Sequence, residues 1–106
     1  MKTKILIFGI LTLLLFSCKK DKTPATNEVW MKNSLFDPAS ITITAGTTIT
    51  WTNKESVTHN VISDNGTFTS GEMGDGATFS FTFPNVGTFP YTCSHHLDMK
   101  GTVIVQ

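Results

Sequence analysis

From residue 28 onward the apolar positions recur at every second residue, and no useful stretch shows the 3.6-residue period of a helix face. Residues 29–33 read as a short strand, residues 40–44 put Ile41 and Ile43 on one face, and residues 47–53 turn Ile49 and Trp51 inward. Residues 57–63 alternate His59 and Val61 against Thr58, Asn60 and Ile62. Residues 78–83 set Phe79, Phe81 and Phe83 against Thr78, Ser80 and Thr82, which predicts a half-buried strand with an aromatic inner face. A short run at 67–69 and longer ones at 88–93 and 100–106 complete the series. Breakers separate the runs: Leu35-Phe36-Asp37-Pro38, Ala45-Gly46, Asp64-Asn65-Gly66, Ser70-Gly71, Gly74-Asp75-Gly76 and Pro84-Asn85-Val86-Gly87. Seven to eight short strands with turns every eight to twelve residues predict an all-β sandwich.

The first residues follow another rule. Lys2 and Lys4 precede an apolar run from Ile5 to Phe16, too short to cross a bilayer, which takes about 20 residues. Residues 1–17 therefore read as an export signal. The run ends in Leu15-Phe16-Ser17-Cys18, which is similar to a bacterial lipoprotein signal and implies a Cys18 that is lipidated and becomes the new N-terminus. Residues 18–27 then read as the lipidated Cys and a flexible tether, and residues 28–106 as one domain. This places the domain on the periplasmic or cell-surface side of a bacterial membrane, held by acyl chains.

Composition sharpens that picture in two places. The chain has 106 residues with eight lysines, no arginine and eight carboxylates, yet from residue 27 onward three lysines face seven carboxylates, a net charge of −4. A surface of that sign excludes nucleic acid as a natural partner and suits a partner with a basic patch. With Cys18 lipidated, Cys93 has no disulfide partner, and a lone thiol in an oxidising compartment points to metal ligation.

The chemistry gathers around that thiol. Cys93, His96 and Met99 lie within seven residues, between two alternating runs, so three soft or borderline donors can meet at one point. His59 lies 34 residues earlier, a separation that a sandwich closes by making distant strands neighbours. Two imidazoles and a thiolate with a weak axial thioether describe a type 1 copper site. Zinc is the rival, since Cys and His bind it as well, but a zinc site rarely takes a thioether. Met99 favours copper provided that it points inward, and Met73 is the weaker axial candidate.

These residues carry a family resemblance. The run Cys93-Ser94-His95-His96-Leu97-Asp98-Met99, with Tyr91 before it and Lys100-Gly101-Thr102-Val103 after it, resembles the copper loop of cupredoxins of the plastocyanin and amicyanin group. The C-x-x-H-x-x-M spacing is the short amicyanin form. The likeness extends through Phe36-x-Pro38, Ile41-Thr42-Ile43, Gly46 to Asn53, His59-Asn60-Val61 and Phe68-x-Ser70-Gly71, nearly all of residues 29–105. It implies a cupredoxin-like Greek-key β-sandwich, one copper held by His59, Cys93 and His96 with Met99 on the axis, and an Asn60 amide bracing the loop at Ser94. Relatives usually place proline where His95 stands, and often proline again at Leu97, so the rigidity of this loop must come from packing or hydrogen bonds. His95 is expected to face solvent.

The same likeness implies a one-electron carrier rather than an enzyme, and the sequence shows no acid–base pair or activated nucleophile. His96 is the expected electron port, ringed by an apolar docking patch drawn from Leu97, Met73, Leu35 and Phe36. Expected partners are redox proteins such as c-type cytochromes, oxidases or reductases, met transiently by a monomer. The alternative is a copper-binding or delivery lipoprotein that shuttles no electrons.

Overall fold

The computed structural model describes residues 22–106, so the export signal and Cys18 lie outside the described residues. Threonine and aromatic residues set the pattern of the sheets. In the strand Thr47–Asn53 the side chains of Ile49, Trp51 and Asn53 are buried, while the threonines between them face outward. The outward hydroxyls pair across to the strand Thr78–Phe83, Thr48 Oγ1 with Thr82 Oγ1 at 2.7 Å and Thr50 Oγ1 with Ser80 Oγ at 2.8 Å. The inner face of Thr78–Phe83 is aromatic, as its alternation predicts.

Eight strands are present among the described residues: β1 (Glu28–Lys32), β2 (Leu35–Asp37), β3 (Ser40–Ile43), β4 (Thr47–Asn53), β5 (Ile62–Ser63), β6 (Thr78–Phe83), β7 (Gly87–Cys93) and β8 (His96–Val105). They form two four-stranded sheets, ordered β2-β1-β4-β6 and β3-β8-β7-β5. Two pairs, β1 with β4 and β3 with β8, are parallel; the rest are antiparallel. The fold is thus the all-β sandwich that the alternation predicts. Between the sheets Trp51 sits at the centre of an aromatic cluster, its ring 5.4 Å from Tyr91 and 5.6 Å from both Phe68 and Phe79.

Three elements differ from the sequence reading. Residues 35–37, expected as a turn, are strand β2; the turn is Asn33-Ser34, both at φ 55°. Two left-handed residues give the tight hairpin that matches strand twist, which sets Lys32 opposite Leu35. Residues 57–63, expected as one strand, keep ladder pairing only at β5 and at a bridge between His59 and Met73. His59, Asn60 and Val61 are all buried, so the segment abandons alternation to turn two consecutive residues toward the site. Finally, β8 begins at His96 rather than residue 100, and Cys93 pairs with His96 across a two-residue turn.

Residues 25–27, read as tether, are held against the domain. The Glu28 amide donates to the Ala25 carbonyl at 3.1 Å, and the Thr50 amide donates to the Asn27 carbonyl at 3.0 Å.

Candidate metal centre

Three segments converge at one end of the sandwich. β7 delivers Cys93 as its last residue, β8 delivers His96 as its first and Met99 three residues on, and the link from β4 to β5 delivers His59. A bulge between Thr92 and Cys93 shifts the register where the thiol must turn inward. The tight Ser94-His95 turn therefore does what a long loop would do poorly: it holds Cys93 and His96 side by side on paired strands.

The ligand atoms of His59, Cys93 and His96 lie within 4.8 Å of one another. Cys93 Sγ is 3.8 Å from His59 Nδ1 and 3.9 Å from His96 Nδ1. Metal–sulfur and metal–nitrogen bonds of about 2.3 and 2.0–2.1 Å put two donors of one ion roughly 3.6–3.8 Å apart at tetrahedral to trigonal angles. The donors therefore fit a single ion. His59, Cys93 and Met99 are buried, whereas His96 is half-buried, so the site has a closed floor and one imidazole toward the surface.

His59 is oriented by a neighbour. His59 Nε2 meets Glu55 Oε2 at 2.5 Å, which leaves Nδ1 free to face the thiol. Glu55 is in turn held by the amides of Asn33 and Ser34 at 2.9 and 3.0 Å, and its own amide donates to Asn53 Oδ1. Burial works against the charged carboxylate, but the Ser34 amide, His59 and the Asn33 amide outweigh it and hold Glu55 below the usual glutamate range. Sequence reasoning missed Glu55; its only signal is a carboxylate four residues before His59 in a turn.

Asn60 bridges to the hairpin. Its Oδ1 accepts the Ser94 amide at 2.8 Å, its Nδ2 donates to Ser94 Oγ at 2.8 Å, and its backbone amide approaches Cys93 Sγ at 3.4 Å. His95 lies outside the donor trio. Its side chain is 43% exposed, in line with a solvent-facing residue, but it is not free: Nε2 meets Glu72 Oε1 at 2.5 Å.

The expected docking patch needs correction. Met73 is 2% exposed because its backbone pairs with His59 and draws the side chain into the core. Phe36 is also buried, its ring packed edge-on against Tyr91 at 4.7 Å. Leu97 and Leu35 do project into solvent, at 69% and 60% exposure.

Comparison with known proteins agrees with this geometry. The "Cupredoxin-like domain" family matches residues 5–105. Plastocyanin of Scenedesmus fuscus is 35% identical over 85 residues, covering 68% of this chain and 87% of the relative. Amicyanin-alpha of Methylorubrum extorquens is 33% identical over 86 residues, covering 76% and 72%. Among solved structures, a purple cupredoxin from Nitrosopumilus maritimus superimposes with a TM-score of 0.69 at 31% identity, covering 74% of this chain and 98% of its own. The chain belongs to the cupredoxin-like family, and its cofactor is copper.

Proposed function

We propose that His59, Cys93 and His96 hold the copper with Met99 on the axis, and that the chain is a one-electron carrier exported to the outer face of a bacterial membrane. The observation that carries this reading is the donor trio: three ligand atoms within 4.8 Å, two of them fully buried and the third on a half-exposed imidazole. When bound, copper supplies the one-electron couple. The residues do the rest. Glu55 fixes the tautomer and tilt of His59 through Nε2, and the Asn60 amide withdraws charge from the Cys93 thiolate, which favours the reduced state. Burial of Cys93 and Met99 excludes water, and paired strands leave the ligands little room to move when the charge changes. The His96 ring is the electron port, with Leu97 and Leu35 as apolar contacts for a small, transient interface. Redox proteins such as c-type cytochromes, oxidases and reductases are the partners of this reading.

A lipid anchor at Cys18 would lead into the domain through residues 23–28. Residues 23–28 line a cleft with Asp37, Pro38, Ile41 and Thr42, and Ile41 pairs with Val103, seven residues along β8 from His96. At 3.3 Å per residue the chain enters the domain roughly 20 Å from the port, so a tether leaving from there does not cover the port. Among the described residues no helix is long and apolar enough to cross a membrane.

The test uses the mature protein purified in detergent and titrated with Cu(II). An intense visible thiolate-to-Cu(II) band and reversible one-electron voltammetry are expected, with the band lost in Cys93→Ser. A colourless copper adduct without reversible electrochemistry would instead favour copper delivery. A band that survives His96→Ala but vanishes in His95→Ala would move the second imidazole ligand to His95. Cys18→Ser should shift the protein from the membrane to the soluble fraction.

A further inference from the structure

Glu72 links the β4–β5 connection to the β7–β8 turn beside the donors, yet it is neither a ligand nor one of the residues carried by the family likeness. Its carboxylate divides between two partners: Oε1 meets His95 Nε2 at 2.5 Å, and Oε2 lies 3.4 Å from Asn60 Nδ2. His95 is one of the two turn residues that set the distance between Cys93 and His96. Asn60 binds the other turn residue, Ser94, through both ends of its amide. Glu72 itself precedes Met73, whose amide and carbonyl are zipped to His59 at 2.8 and 3.0 Å. The carboxylate is thus anchored to the segment of one imidazole ligand and grips the turn beside the other.

Such an exposed pair is ordinarily weak, because two long side chains must be ordered for a screened attraction. Here the ordering is largely done in advance. The Met73 bridge fixes the backbone on one side of Glu72, the Cys93–His96 pairing fixes the backbone at His95, and Asn60 is buried. With Glu72 in place both N–H groups and the carbonyl of the Asn60 amide have partners. Without it one N–H of the amide and the His95 ring lose theirs, in a turn that has no proline to hold its dihedrals.

We propose that Glu72 is a positioning residue of the copper centre, a clasp that closes the Ser94-His95 turn onto Asn60 and so sets the spacing of the Cys93 and His96 donors. This rests on the copper reading above. The Glu72 carboxyl is held below the usual range by the His95 hydrogen bond first, in keeping with a clasp made by the carboxylate.

The experiment compares Glu72→Ala, Glu72→Gln, His95→Ala, the double variant Glu72→Ala/His95→Ala and, as a charge control on the same loop, Asp75→Asn. In the copper-loaded mature protein, Glu72→Ala and His95→Ala should each broaden the thiolate-to-copper band and shift the reduction potential in the same direction. The double variant should shift it no further than the larger single change. Glu72→Gln keeps an acceptor for His95 and should restore most of the wild-type band and potential. Asp75→Asn should leave the band width unchanged. Additive shifts, a Gln variant as disruptive as Ala, or an Asp75→Asn shift matching Glu72→Ala would each overturn the clasp. A metal-free readout separates this from failure of the copper reading: in the copper-free protein the Ser94 amide should lose hydrogen-exchange protection in Glu72→Ala. Protection equal to wild type would refute the clasp whatever metal the site binds.

Discussion

Glu55 shows how much a single side chain outside the ligand set can decide. One carboxylate accepts from the two left-handed residues of the β1–β2 turn and meets the far nitrogen of His59, so the tip of a hairpin and a proposed metal ligand share one anchor. Removing it frees the His59 ring to rotate or change tautomer and strands two turn amides. Glu55→Ala should therefore weaken copper binding about 10- to 100-fold, as measured by competition with a chelator, and should also lower stability of the copper-free protein. Glu55→Gln keeps an acceptor and should lose less. Sequence legibility divides along the same line. The donors and Asn60 were readable because their types and spacing carry the chemistry; Glu55 and Glu72 were not, because a carboxylate becomes an orienting group only when folding brings its partner within reach. The exposure of Met73 and Phe36 was misjudged for the converse reason, since apolar residues in breaker-rich stretches give no sign of which way they turn.

At the level of elements, the β7–β8 hairpin carries two demands at once: it must place Cys93 beside His96 and also cover the aromatic core. Gly101 makes both possible. A Cβ there would sit 2.3 Å from Tyr91 Cζ, and the Tyr91 ring is already held by Phe36, Trp51 and Phe68. The ring has no free direction to yield, so Gly101→Ala should destabilise the domain by about 1–3 kcal/mol in denaturant unfolding, with a weakened or broadened copper band. Enclosure of the same ring pushes the Tyr91 phenol up to about 12, so it stays neutral across the working range. The start of β1 offers a pH test. Burial disfavours the charged Glu28 carboxylate, but the Ala25 amide and the Thr52 hydroxyl donate to it at 2.9 and 2.8 Å and hold it below the usual glutamate range. A depressed carboxylate stabilises the fold above its unfolded pKa and loses that contribution as pH falls through the folded one. Stability should therefore decline on acidification below the ordinary glutamate range, and Glu28→Gln should reduce that dependence. Alternation found β4 and β6 to the residue, because both have one wet face and one dry face. It failed at 57–63, where His59, Asn60 and Val61 are buried in succession, and at Asn33-Ser34, where no glycine announces the left-handed turn.

The proposed function joins a small apolar port to a negatively charged surface, and the two should separate in kinetics. From residue 27 onward the net charge is −4, with Asp98 next to Met99 and two places from His96. Long-range attraction to a basic partner depends on that total and is screened over about 10 Å at 0.1 M salt, whereas contact at Leu97 and Leu35 acts only after encounter. In stopped-flow oxidation of the reduced copper protein by a positively charged c-type cytochrome, the second-order rate constant should fall as ionic strength rises. Leu97→Ser should lower that constant at every ionic strength while leaving its salt slope intact. Asp98→Asn should do the reverse, flattening the slope with a smaller loss at high salt. A Leu97→Ser variant as fast as wild type would move the docking surface away from the His96 end, and a flat salt profile would remove the carboxylates from partner selection.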